Sequence, residues 1–225
     1  MKLKCFLQFI ILCSITFFPL SVCAADFSSD EARAWMDQKG KEVLEIMTSF
    51  QREDKFKQLD TLLFNDVDLD YAGQFVVGKY WKKMTPEQQK KYIPLFKRYT
   101  SALYKEYPLT LDKGAVTYVI DKVIADNDSQ YVYCTIYIAS IEKNVDETSK
   151  DGVKVVFRLV LNNGKIQVRD LQIAESSFLR AYRERFYKMI HEDDDDDMEW
   201  FLDDLQELTI DMEKEITQKN AAPKE

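Results

Sequence analysis

The stretch from residue 75 to residue 107 constrains the fold more than any other part of the chain. Thr85 and Gln88 have the spacing of a capping box at the start of a helix, and Pro86 stands at the first helical position. Large apolar residues then recur every three or four positions, at Tyr92, Phe96, Tyr99, Leu103 and Tyr107. This spacing predicts a long helix with one aromatic face directed at a core.

Further helices are predicted on both sides of this segment. Ser28 and Glu31 repeat the capping-box spacing ahead of an apolar stripe, and a second stripe covers residues 56–63. A short third helix ends near Trp81. Two more helices are predicted near the carboxyl terminus, with stripes at residues 178–189 and 201–216.

The residues between 117 and 173 have the pattern of a β-sheet. Residues 131–140 alternate apolar and polar side chains with a period of two, and Asn163-Gly164 is a typical hairpin turn. Four consecutive strands with short connections predict an antiparallel meander. The fold class is therefore α+β, with a four-stranded antiparallel meander flanked by N- and C-terminal helices.

The amino terminus has the pattern of a secretory signal peptide. Lys2 and Lys4 precede an apolar core over residues 5–18, and cleavage is expected near Ala24. That core is short for a membrane-spanning helix. Lipidation of Cys23, as in a lipoprotein, remains an alternative to cleavage.

The domain organisation follows from length and composition. Residues 1–24 are expected to be the signal peptide, residues 25–216 a single domain, and residues 217–225 a flexible tail. Cleavage would leave Cys134 as the only cysteine, so no intramolecular disulfide is expected.

Charge is distributed unevenly along the chain, whose formal net charge is −8 at pH 7. Residues 79–105 contain eight basic residues and one acid, whereas residues 192–215 contain thirteen acids and one base. The basic segment could face anionic headgroups or an acidic partner, or it could be a solvated helix face. Nucleic acid is not expected as a partner of an acidic, exported protein.

Patterns of catalytic and metal-binding residues are missing. His191 is the only histidine, and nothing places a nucleophile beside it. The acidic run at residues 193–197 lacks the spacing of a calcium loop, and no glycine-rich phosphate loop occurs. We expect no catalytic residue, no metal and no cofactor.

Two blocks of sequence carry a resemblance to a known family. The first is the short apolar segment with Gly78, Tyr80 and Trp81, followed by Thr85-Pro86 and the aromatic helix. The second contains Asp170, Ser177, Phe178, Leu179, Tyr182, Arg183 and Phe186 in register. Together they resemble the MlaC family of periplasmic phospholipid-carrying proteins, also called the toluene-tolerance family. Glu175 and Ile166 depart from the family pattern, which usually has Gly and Trp there.

The resemblance implies a fold and a function. It implies an NTF2-like or cystatin-like curved sheet that encloses an apolar lipid cavity. It further implies a monomeric periplasmic shuttle that moves phospholipid, as cargo rather than cofactor, between the outer and inner membranes. Its partners would be an inner-membrane ABC transporter complex with MCE domains and an outer-membrane lipoprotein complex.

Candidate lipid-binding residues are taken from the apolar faces in the two blocks and in the strands between them. They are Tyr99, Leu103, Val155, Phe157, Leu159, Ile173, Phe178 and Tyr182. Because cavity walls and solid cores share the same composition, periodicity alone leaves open that these residues form an ordinary core.

Two other functions remain open at this stage. One is an enzyme of the isomerase or dehydratase type on an NTF2-like cone, in which an acid such as Asp170 acts in an apolar pocket. The other is a structural adaptor of the cell envelope, which would neither bind lipid nor catalyse a reaction.

Overall fold

The computed structural model describes residues 27–49, 52–105, 114–138, 152–193 and 196–221. These residues form six α-helices and five β-strands. In chain order they are α1 (Ser29–Ser49), α2 (Arg52–Asp66), α3 (Leu69–Val77), α4 (Pro86–Lys105), β1 (Val116–Asp126), β2 (Ser129–Ile138), β3 (Val153–Asn162), β4 (Lys165–Ile173), β5 (Ser176–Ser177), α5 (Phe178–Lys188) and α6 (Met198–Ala221). A 3₁₀ segment, Gly78–Lys82, precedes α4, and a π-helical turn, Met189–Asp193, follows α5.

The sequence makes a separate prediction for each end of the chain. The expected signal peptide, residues 1–24, lies outside the described residues. At the other end, α6 continues to Ala221, so residues 217–221 are helical. Ile216 is buried in the helical core, and this burial anchors the last turns of the helix.

The sheet is an antiparallel meander in which the strands lie in the order β1-β2-β3-β4-β5. The α+β class and the four predicted strands are confirmed. The prediction of four strands in total is corrected by β5, which pairs with the end of β4. A strand of two residues is too short to produce a period in the sequence.

Both predicted capping boxes are present. The Gln88 N–H donates to the Thr85 hydroxyl (3.2 Å), and the Thr85 N–H donates to Gln88 Oε1 (2.9 Å). Ser28 and Glu31 make the same reciprocal pair at 3.2 and 2.7 Å, immediately before α1. Each pair satisfies backbone donors that a helix start otherwise leaves free.

Two separate apolar clusters hold the molecule together. The larger lies among α3, α4, α5 and α6, where the fully buried rings of Tyr99, Phe186 and Phe201 meet edge to face. The smaller joins α1 to the sheet around Ala32, Val132, Cys134 and Leu159. The helices α3, α4, α5 and α6 thus share one core, and α1 packs on one face of the sheet.

The second sequence block serves to attach α5. The Asp170 carboxylate accepts hydrogen bonds from the Ser177 hydroxyl (2.7 Å) and from the N–H groups of Leu171 (2.8 Å) and Leu179 (3.3 Å). Arg183 donates twice to the Phe75 carbonyl oxygen, at 2.8 and 2.6 Å. Since these bonds join β4, α5 and the end of α3, the block is structural.

Candidate functional site: an apolar cavity between α1, α2 and the sheet

A cavity of about 520 Å³ lies between α1, α2 and the sheet. The volume is within the range of about 300–1,000 Å³ that is usual for ligand pockets. Its wall is almost entirely apolar. The side chains from α1 and α2 are Trp35, Met36, Val43, Leu44, Met47, Leu59, Leu62 and Leu63, and the apolar residues from the strands are Val116, Cys134, Ile136, Phe157 and Val168.

Helix α2 forms one wall of the cavity and also packs against the helical cluster, through Phe56 and Leu63. Leu59, Leu62 and Leu63 lie on one face of the helix and remain half-buried, because they border an empty volume. Phe56 is the buried apolar residue on α2, and it packs into the helical cluster. A helix whose leucines face a void gains little packing energy in the absence of a ligand.

The floor of the cavity is one face of the sheet. Opposite residues of paired strands project from the same face, so Cys134, which pairs with Val155, and Phe157, which pairs with Val132, share this face. Phe157, Cys134 and Ile136 line the cavity directly. The apolar residues of the alternating pattern in β2 and β3 therefore form the floor of the cavity.

Gly40 allows α1 to lie close to β1. A Cβ at this position would be 2.5 Å from the Tyr118 ring, so a larger residue would push the helix away from the strand. The Tyr118 hydroxyl donates to the Asp37 carbonyl oxygen (2.8 Å). Burial, with the Asp37 carboxylate as a further cause, raises the pKa of Tyr118 to about 12, so this hydroxyl keeps its proton.

Polar contacts attach α2 to its neighbours on both sides. The Asp60 carboxylate accepts hydrogen bonds from Ser101 (2.6 Å), Tyr104 (2.7 Å) and Lys105 (2.6 Å), all on α4. Tyr104 also lines the cavity, and burial together with Asp60 raises the pKa of its hydroxyl. Lys55 donates to the Met47 carbonyl oxygen (2.8 Å) at the end of α1.

One ion pair lies in the otherwise apolar wall. Lys39 on α1 is 2.7 Å from Asp66 on α2 and 3.0 Å from Glu42. Burial opposes the charge of Lys39, but the two carboxylates outweigh this effect and raise its pKa. Lys39 therefore stays protonated beside the cavity.

Cys134 contributes a buried thiol to the cavity floor. Burial, and secondarily the charge of Asp121, raises its pKa to about 11, so the thiol stays neutral and unreactive. In the described part of the chain, no group of three or more His, Cys, Asp or Glu side chains is placed to hold a metal ion.

The eight sequence-predicted residues are dispersed. Phe157 lines the cavity, and Leu159 lies in the α1–sheet cluster next to it. Val155 is buried on the same strand face. Tyr99 lies in the helical core instead, with Leu103 and Tyr182 packed against that core, while Ile173 and Phe178 are 43% and 44% exposed. As lipid contacts these residues remain predictions.

The sequence-based list missed most of the wall. The α1 and α2 positions, including Val43 and Leu62, were assigned to helices but not to the site. Their apolar stripes were visible, but a stripe that faces a void has the same pattern as one that faces a core. The stripe alone could not have identified them.

Asp170, the acid suggested for an enzymatic function, does not line the cavity. Asp170 is occupied by its three hydrogen bonds at the start of α5 and is absent from the cavity lining. The charged side chains that do line the cavity, Lys39 and Asp66, are paired with each other. The arrangement therefore favours binding of an apolar molecule over acid–base chemistry.

Comparison with known proteins agrees with this geometry. The family model described as MlaC protein matches residues 37–207, which include α2, the whole sheet and most of the cavity wall. The chain belongs to the MlaC family. No curated protein sequence matches it significantly.

A solved structure shares the fold. The phospholipid-binding protein from Ralstonia solanacearum, determined in complex with a phospholipid, superposes with a TM-score of 0.64 at 17% sequence identity. The alignment covers 80% of this MlaC-family chain and 98% of the other protein. Within the residues that the structure describes, no helix has the length and apolar character needed to cross a membrane.

Proposed function

We propose that the protein binds a phospholipid, holds its acyl chains in the cavity between α1, α2 and the sheet, and carries it through the periplasm between the outer and inner membranes. The observation that carries the proposal is the apolar volume of about 520 Å³ walled by the leucines of α2. Membership of the MlaC family and the likeness to a phospholipid-binding protein support it.

Lipid transport sets a physical demand on the cavity. Each methylene group that leaves an apolar environment for water costs about 0.8 kcal/mol, so two chains of about 15 methylenes would cost on the order of 20 kcal/mol. A carrier must therefore cover most of the apolar surface. The sheet floor and the α1 and α2 walls provide such cover on three sides.

Transport of this kind makes and breaks no bond. The cavity substitutes for the bilayer interior, and docking at each membrane changes the relative affinity of the lipid for carrier and acceptor. The partners that fit this role are an inner-membrane ABC transporter complex with MCE domains and an outer-membrane lipoprotein complex.

The test is to determine what the purified protein carries. The protein is expressed with its own leader, purified without detergent and extracted with organic solvent, and the extract is analysed by mass spectrometry. We expect phospholipid in a fixed molar ratio to protein. An empty protein that also fails to take up lipid from vesicles would refute the proposal.

A variant of the cavity floor makes this test specific. Phe157→Asp places a carboxylate on the apolar floor, where its burial is costly, and should abolish lipid retention. Leu161→Asp is the matched control, because Leu161 lies on the same strand but is 39% exposed and outside the cavity. Circular dichroism checks that both variants fold. Normal lipid content in folded Phe157→Asp would exclude this cavity as the site.

A further inference from the structure

Lys39 and Asp66, the charged residues of the cavity wall, form a small cluster with Glu42, which pairs with Lys39 but does not itself line the cavity. Lys39 lies between Glu42 (3.0 Å) and Asp66 (2.7 Å). The side chains of Lys39 and Asp66 are each 20% exposed, whereas that of Glu42 is 42% exposed. Val43, which lines the cavity next to Glu42, is 38% exposed. The cluster therefore lies where the apolar volume meets solvent.

The net charge of this cluster is −1, since one ammonium group faces two carboxylates. Two other acids of α1 and α2 have basic partners of their own. Asp37 is paired with Lys41 (2.6 Å), and Asp60 is paired with Lys105 (2.6 Å). Among the described residues that line the cavity, Lys39 and Asp66 are the charged ones.

We propose that Lys39, Glu42 and Asp66 form the headgroup site of the cavity and that this site selects phospholipids whose headgroup carries an amine. The inference rests on the proposed function. It adds the chemical class of the cargo, which neither the family nor the neighbouring structure specifies.

Hydrogen-bonding capacity supports the assignment. The Lys39 ammonium group has three N–H donors and two carboxylate partners, which leaves one donor for a lipid phosphate. Glu42 is exposed enough to accept a hydrogen bond from a headgroup ammonium. A zwitterionic phosphoethanolamine thus finds a partner for each of its charges, while an anionic headgroup without an amine meets an excess of negative charge.

The size of the effect can be estimated. A partly exposed charge pair contributes about 1 kcal/mol or less, which corresponds to a preference of about fivefold. The preference should diminish as salt is added, because the cluster is open to solvent.

The experiment is a competition between two headgroups on the same acyl chains. Delipidated protein is incubated with vesicles that contain equal amounts of phosphatidylethanolamine and phosphatidylglycerol, reisolated and extracted, and the ratio of the bound lipids is measured by mass spectrometry. The wild-type protein should be enriched in phosphatidylethanolamine by about fivefold. Glu42→Gln should bring the ratio close to one, and Glu42→Lys should invert it.

Glu45→Gln is the matched control, because Glu45 is exposed on the same helix but does not pair with Lys39, whose partners are Glu42 and Asp66. The ratio is measured per bound lipid, so partial loss of folded protein does not affect it. A wild-type ratio near one or in favour of phosphatidylglycerol overturns the headgroup site, as does an unchanged ratio in Glu42→Gln. A protein that binds neither lipid overturns the proposed function as well.

Discussion

Asp196, in the acidic run at residues 193–197, contacts Tyr80 of the helical core. Its carboxylate accepts a hydrogen bond from the Tyr80 hydroxyl (2.9 Å) and pairs with Lys83 (3.0 Å), and His191 Nδ1 lies 3.2 Å away. Lys83 first, and then Tyr80, lower the pKa of Asp196 from 3.8 to about 2. The acidic run at residues 193–197 therefore contains a carboxylate with specific partners in the fold.

This shift predicts a pH-dependent contribution to stability. Because the folded-state pKa is lowered, the contribution of Asp196 is present above about pH 4 and is lost as the pH falls towards 2. Asp196→Asn should therefore lower the free energy of unfolding at pH 7, and the difference from wild type should shrink below about pH 4. Urea unfolding, monitored by circular dichroism, measures the free energy of unfolding at each pH.

Asp204→Asn is the control for this prediction. Asp204 is exposed on α6, and its carboxylate has no hydrogen-bond or ion-pair partner among the described residues. It should leave stability unchanged across the same pH range. If Asp196→Asn lowers the free energy of unfolding by the same amount at low pH as at pH 7, the effect arises from packing rather than from charge.

At the level of elements, the start of α4 depends on one hydroxyl. Thr85→Ala removes the acceptor of the Gln88 N–H and should lower the free energy of unfolding by about 1 kcal/mol. Thr85→Ser retains the acceptor and should retain the stability. Lipid content of the folded protein should not change in either variant, since Thr85 is outside the cavity. Loss of lipid without loss of stability would contradict a purely structural role.

Helix α2 offers a way to fill the cavity without introducing charge. Leu62→Trp adds volume on the cavity side of the helix and should reduce bound lipid while the protein stays folded. Phe64→Trp is the control, because Phe64 is 46% exposed and outside this cavity. Lipid mass spectrometry and thermal unfolding give the two readouts. Full lipid content in Leu62→Trp would mean that the acyl chains do not contact α2.

The elements that sequence reasoning predicted are those encoded locally. Capping boxes, the Asn163-Gly164 turn and the alternation in β2 each depend on residues a few positions apart, and all are present. The cavity wall is not encoded in this way. Leu62 and Val43 have the spacing of ordinary core residues, and only the long-range separation of α2 from the sheet makes them cavity residues.

Several residues of the two family blocks make contacts within the scaffold of the fold rather than in the cavity. Tyr99 and Tyr182, chosen from the two matching blocks, lie in or against the helical core. Asp170 and Arg183 secure the start of α5 and the end of α3. These residues of the two blocks thus contribute to the scaffold, whereas the candidate cavity is lined largely by less distinctive aliphatic residues, which many combinations can replace.

At the scale of the whole molecule, the two oppositely charged segments lie against each other. Arg98 forms a two-point pair with Glu213 (3.2 and 2.7 Å), and Lys91 pairs with Glu199 (2.9 Å). The basic face of α4 is therefore partly neutralised by α6. Lys82 and Lys90 are exposed, with no acidic partner among the described residues.

Lys83 and Lys91 form ion pairs, whereas Lys82 and Lys90 form none with the described residues, so charge reversal of each pair of lysines can distinguish a structural role from a docking role. Lys82→Glu/Lys90→Glu should slow lipid transfer to anionic vesicles while leaving urea unfolding unchanged, because neither residue has a partner to lose. Lys83→Glu/Lys91→Glu should instead lower the stability, because each variant side chain repels the acid that it now faces, Asp196 or Glu199. Transfer of a fluorescent phospholipid is measured at low and at physiological salt, where a Debye length of about 8 Å should weaken the effect of the first pair. If transfer by the first variant equals that of the wild type at low salt, Lys82 and Lys90 are merely solvated and the carrier approaches membranes by another face.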